Sequence, residues 1–236
     1  MRSFAAFVAR EATARTPLVP LRIFRSRTIV GANAIQMLGV AGMFGMFFLA
    51  VLYLQRVLGY DALETGVAFL PVSGLIGALS LGASAKLSMR YGARAVLIPG
   101  LVLMALGLLL FTRVPVDGDY LRDVLPVMIV LGTGAGLFFP SLTTLAMSGV
   151  EPHESGLASG LINTSLQVGG SIGLAVLAGL ATTRSHDLLG AGHSAPAALT
   201  GGYHLAFLVG AGLVLLGLLT ALWMRPAGKA LPILSE

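Results

Sequence analysis

The sequence predicts an all-α membrane protein, six transmembrane helices arranged as two inverted three-helix repeats. Three observations carry this. First, the 236 residues are 56% hydrophobic and only 11% charged, with mean hydropathy +0.89. A soluble domain carries about 25% charged residues, so this chain cannot cover its surface with polar side chains. Second, six runs are long enough to cross a bilayer core, which takes about 20 apolar residues. They lie near 28–54, 63–84, 95–111, 124–147, 156–182 and 203–224, and their interiors hold no Asp, Glu, Lys or Arg. In lipid, backbone groups must be bonded internally, which dictates helices, and the short alternating segments of a membrane barrel are missing. Third, Glu64-Thr65-Gly66-Val67-Ala68 resembles Glu154-Ser155-Gly156-Leu157-Ala158. Each opens the middle helix of a triplet, from opposite faces of the membrane, as an inverted repeat would. Shared capping chemistry is the other explanation of so short a match.

Residues 1–27 read as a cytoplasmic N-terminal linker. The apolar stretch at 4–9 is too short for a signal peptide and meets Arg10 and Glu11 at once. The first span carries Asn33 and Gln36, then Met43, Phe44, Phe47 and Phe48. Asp61 and Glu64 are spaced as a capping box at the start of the second span, which contains Pro71. The turn into the third span holds Lys86, Arg90, Gly92 and Arg94. The fourth contains Gly132, Gly134, Gly136, Pro140 and Ser141. Proline removes a backbone hydrogen bond, so Pro71, Gly136 and Pro140 are candidate hinges, though such kinks also occur in static bundles. Glu151-Pro152-His153-Glu154 reads as the start of the fifth helix. That helix carries Asn163 and Gln167 at i and i+4, on one face. The GxxxG pairs Gly132/Gly136, Gly156/Gly160 and Gly169/Gly173 read as internal packing contacts. The sixth span leads into a tail, 225–236.

Lys and Arg orient the bundle. Eleven fall in the N-terminal segment, the 86–94 turn and the tail, against four on the other side. Both termini are therefore expected in the cytoplasm, in a multi-pass protein of the cell (inner) membrane. The net charge of +5 reports this asymmetry rather than a nucleic-acid partner. There is no cysteine, and His153, His186 and His193 read as loop residues without metal-ligand spacing, with His204 at a span edge. With no nucleophile–base pair and no phosphate loop, neither an enzyme, a cofactor nor a metal site is expected.

Six helices in inverted triplets resemble one half of a major facilitator superfamily transporter. Three stretches carry the likeness. Pro17-Leu-Val-Pro20-Leu-Arg22-Ile-Phe24-Arg25-Ser-Arg27 is similar to the linker before the ninth helix of the fourteen-helix drug:proton antiporter branch. Lys86-Leu-Ser-Met-Arg90-Tyr-Gly92-Ala-Arg94 is similar to the family's cytoplasmic turn between helices two and three, and residues 156–175 are the third stretch that resembles it. The resemblance implies the C-terminal half of such an antiporter. Its partners would be a small-molecule substrate, protons, the lipid bilayer and an N-terminal half, on another chain or in a longer gene. The turn departs from the family pattern: its acid slot is Met89, and its glycine slot is Ala85. The resemblance assigns that acid a part in gating, which leaves Lys86, Arg90 and Arg94 with the simpler task of holding the turn inside.

The candidate substrate pathway comprises Asn33, Gln36, Phe44, Phe47, Asn163 and Gln167. The amides either face a polar passage or bond between helices, and the aromatic residues either wall a cavity or face lipid. No titratable group lies at a span centre, which fits a chain that borrows its coupling acids from the other half. Two alternatives remain, a half-transporter that pairs with itself and a non-transporting scaffold or remnant.

Overall fold

The computed structural model describes residues 26–148, 150–151 and 154–224. Most of the linker, the tail, the proline-containing entry motif, Pro152 and His153 lie outside the described residues. Among the described residues, six helices are long and apolar enough to cross a membrane: α1 (Arg27–Arg56), α2 (Ala62–Tyr91), α3 (Ala93–Phe111), α4 (Tyr120–Met147), α5 (Ser155–Gly190) and α6 (Ala195–Trp223). There are no strands among the described residues.

Local chemistry sets the helix ends. The Ser26 hydroxyl accepts from the Ile29 amide and opens α1. The capping box at α2 forms as the spacing predicts, with the Glu64 amide on Asp61 at 2.8 Å and the Asp61 amide on Glu64 at 2.9 Å. Asp119 accepts from the Arg122 amide at 3.0 Å and opens α4. Three expectations change. At about 1.5 Å per residue, the 36 residues of α5 exceed a core roughly 30 Å thick, so its last turns project beyond the apolar layer. His186 therefore lies on helix rather than in a loop. Likewise α6 begins at Ala195 rather than near 203, which puts His204 well inside the helix. Pro71 does not bend a continuous rod. The chain breaks at Phe69, and Pro71 sits in the first turn of the resumed helix, where no amide is needed.

The packing follows the inverted repeat. Helix α1 lies against α5 and α6, α4 lies against α2 and α3, and α3 lies against α6. Shifting every label by three reproduces the same set of neighbours. Small residues set the close approaches. A Cβ on Gly132 or Gly136 would strike Val72, Leu75 and Leu79 of α2, and one on Gly169 or Gly173 would strike Met37 and Ala41 of α1. These two GxxxG pairs are internal contacts. Gly156 and Gly160 are not: a Cβ on either would meet nothing within 4 Å, because no described helix reaches that side of α5 there.

The α3–α6 pair is tied at both ends. Arg94, at the start of α3, donates to the carbonyls of Ala221 and Leu222 in the last turn of α6 (2.9 and 2.7 Å). His204 of α6 bonds through Nε2 to the Val114 carbonyl just past α3, at 2.9 Å. Two tyrosines secure the loops: Tyr53 donates to Pro115 and Tyr120 to Ala68.

Candidate substrate pathway

Helix α1 carries most of the candidate residues, and they divide between two surroundings. Asn33, Met37, Phe44 and Phe48 follow one stripe, and none of the four is fully buried. The Asn33 amide is committed at both ends. Its Nδ2 donates to the Ile29 carbonyl at 2.8 Å, and its Oδ1 accepts from the Ser165 hydroxyl of α5 at 2.6 Å. Phe44 keeps more than a third of its surface open while one side rests against Gly170 of α5. Phe47 stacks on Phe69 of α2, with ring centroids 5.6 Å apart. Gln36 is not on an open wall. It is 3% exposed, enclosed between helices, so it is correctly placed on a helical span but not on a passage in this conformation.

The α5 amides take a different side from the one that meets α1. Ser165, Gly169 and Gly173, spaced by four, form the α1-facing edge. Asn163 lies five whole turns before Ala181 and shares its azimuth, which is the side turned toward Gly202 of α6. At the level of Asn163 and Gln167, α6 no longer covers that side, and both residues are exposed. The Asn163 Nδ2 donates to the Ser159 carbonyl at 3.1 Å, within its own helix. The structure thus does not unite the two amide pairs. It joins α1 to α5 through Asn33 and Ser165, a residue sequence reading passed over. Ser165 extends the Gly169/Gly173 spacing back one turn, the signal by which it could have been found.

Of the candidate hinges, Gly136 is pinned under Leu79 of α2. Pro140 lies within α4, where Ser141 and Thr144 direct their hydroxyls to carbonyls of the preceding turn. Two wide helical turns, at Leu79–Ala83 in α2 and Tyr120–Val124 in α4, left no sequence signal. Insertions of this kind cluster at functional sites. Beside the first, the Ser84 hydroxyl bonds to the Leu137 carbonyl of α4 at 3.2 Å.

In the 86–94 turn, Gly92 has φ +90°, a conformation that favours glycine, and its amide closes onto Ser88 at 2.9 Å. Arg94 caps α6, Arg90 sits 5.3 Å from the Tyr91 ring, and Lys86 is exposed. Residues 3–174 of this sequence match the profile of the Major Facilitator Superfamily.

The chain belongs to the major facilitator superfamily. It is 34% identical over 218 residues to the puromycin resistance protein pur8 of Streptomyces alboniger, covering 89% of this chain and 43% of that protein. It is 35% identical to the cephamycin export protein CmcT of Amycolatopsis lactamdurans, over 73% of this chain and 36% of the relative. It is 31% identical to the tetracenomycin C resistance and export protein of Streptomyces glaucescens, over 79% and 34%. The chain thus spans less than half the length of these relatives. A solved chain from work on substrate recognition in proton dependent oligopeptide transporters matches the fold, with TM-score 0.73 and 20% identity, over 86% of this chain and 42% of that one. Membership in this transporter family, and not any missing group, sets the chain apart from enzymes.

Proposed function

We propose that this chain is the C-terminal half of a proton-coupled, multidrug-type exporter of small lipophilic molecules, working against an N-terminal half in the cell (inner) membrane with both termini cytoplasmic. The observation that carries the reading is the uneven burial of the helices. In their most apolar stretches only 11% of α2 and 28% of α5 is buried, against 39–61% for the other four. These two helices flank the bundle and leave their outer sides bare, as a half would where a second bundle closes on it. The names of the relatives, which are resistance and export proteins, support the export direction. Alternating access then rocks one half against the other.

In this reading the α1 stripe of Asn33 and Phe44, with Phe47 beside it, contributes a soft, mostly apolar wall, suited to varied lipophilic cargo. Asn163 and Gln167 serve the seam with the N-terminal half. Gln36 becomes accessible only if α1 shifts against α4. The coupling proton binds in the N-terminal half.

The test is expression in an efflux-deficient host, with and without an N-terminal half. Extrusion of a lipophilic cationic dye is expected only when both halves are present, and a protonophore should abolish it. Proton-dependent extrusion by this chain alone would overturn the need for a partner. Assembly of both halves without extrusion would overturn transport.

A further inference from the structure

At the end where α1 and α5 finish and α6 begins, the three helices splay and leave a pocket of about 270 Å³. It lies at the far end of the α1 stripe, which it meets at Phe48, and Asn33 is about four turns away. Its floor and one wall are apolar, formed by Leu49, Leu52 and Ala178, with Phe48 and Leu199 at the sides. Its rim is polar and one-signed: Arg56 ends α1, His186 lies on the projecting turns of α5, and Tyr203 faces them from α6. Among the described residues no carboxylate lines it. Ser185 also lines the pocket, but its hydroxyl is spent on the Ala181 carbonyl at 2.8 Å, so the donors come from Arg56, His186 and Tyr203, with the Thr182 hydroxyl beside them.

Such a site asks for an amphiphile with an anionic head. A guanidinium fork matches phosphate oxygens, and an imidazole N–H and a phenol supply further donors. A free anion would gain nothing from the apolar floor. A phospholipid satisfies both parts at once, and the depth is right. Arg56 closes an apolar span, where headgroups meet the acyl layer. The volume is too small for a whole lipid, so it takes the phosphoglycerol head and the first chain carbons, and the rest of the chain lies along the bundle. We infer that this three-helix pocket is a binding site for an anionic phospholipid.

Native mass spectrometry of the purified chain in neutral detergent tests this, titrating phosphatidylglycerol, phosphatidylcholine or glycerol 3-phosphate. Phosphatidylglycerol adducts are expected at concentrations where the other two leave the chain bare. Arg56→Gln should weaken the adduct about tenfold, the loss of one charge-assisted hydrogen bond, whereas Arg113→Gln, a cation outside the pocket, should not. Ala178→Phe, which fills the pocket and leaves the charge in place, should abolish the adduct. It decides the matter independently if Arg56→Gln fails to fold. Equal retention of phosphatidylcholine, or an adduct indifferent to both pocket variants, overturns the assignment. Binding of glycerol 3-phosphate as tight as that of the lipid replaces it with a free-anion site.

Discussion

Arg94 illustrates what one side chain contributes and how much of it could be read in advance. Its charge was legible as a topology signal, but its partners were not, since the carbonyls of Ala221 and Leu222 are more than 120 residues away and carry no side-chain code. A guanidinium on the last carbonyls of a helix also meets the negative end of its dipole. Arg94→Ala should cost about 1–3 kcal/mol, read as a lower melting temperature in detergent, because it leaves those carbonyls without their donor. Arg94→Lys should recover only part, since a single ammonium replaces a two-pronged donor. Gly92 is the companion case. A side chain there has open space, so Gly92→Ala is penalised only by its backbone conformation, φ +90° with ψ 143°, at about 1–3 kcal/mol. Asn33 was equally half-legible. Its polarity in an apolar run marked it, but the apparent mate Gln36 shares its helix, while the actual partner is Ser165. A double-mutant cycle of Asn33→Val and Ser165→Ala should return a coupling of about 0.6–2 kcal/mol, and Gln36→Leu should show none with Ser165.

Among whole helices, existence and number were legible because an uninterrupted apolar run has one solution in lipid, and the ends were less so. The sequence expectation stopped α5 near 182 and started α6 near 203, where polar residues appear. The helices continue through them because amphipathic turns outside the apolar layer still bond internally and pack on one another, as Ser185 and Gly202 do. The wide turns in α2 and α4 were invisible for a related reason. Such an insertion is fixed by how the neighbouring helix seats, not by a residue type. The GxxxG pairs separate what spacing can and cannot tell. Spacing identifies a slim face; only the neighbour decides whether anything lies against it. Gly173→Ala drives a methyl into the Ala41 backbone and should destabilise α1–α5 packing by about 1–3 kcal/mol. Gly160→Ala meets open space and should be neutral or stabilising by up to about 1 kcal/mol, the helix-propensity gain. Melting curves of the two variants side by side check this, and equal losses would mean that Gly160 is covered after all.

For the molecule as a whole, the two inverted triplets were foreshadowed by five residues, and the arrangement of neighbours follows the same symmetry, with α1 and α4 each holding two others. What the sequence could not give is which faces the bundle leaves bare, because an apolar side chain reads alike toward lipid, a helix or a second bundle. The structure leaves Leu81 of α2 90% exposed and Ile172 of α5 57% exposed, while Leu219 of α6 is 60% exposed. Burial alone does not separate these three positions, but the proposed closure does. Helices α2 and α5 flank the bundle, and α6 lies behind α1, packed against α3. A second bundle that closes over the flanks therefore covers Leu81 and Ile172 and leaves Leu219 in lipid. Spin labels on Leu81→Cys, Ile172→Cys and Leu219→Cys report this through collision with dissolved oxygen, which concentrates in the acyl layer. For this chain alone in vesicles, all three labels should be readily accessible. Adding the N-terminal half should lower accessibility at the first two several-fold and leave the third unchanged. If a second copy of this chain covers the same faces, the first two labels should instead lose accessibility as protein density rises, with no N-terminal half present. If none of the three responds to either treatment, the bare flanks of α2 and α5 are lipid-facing surface, and the reading of the chain as one half of a carrier fails with them.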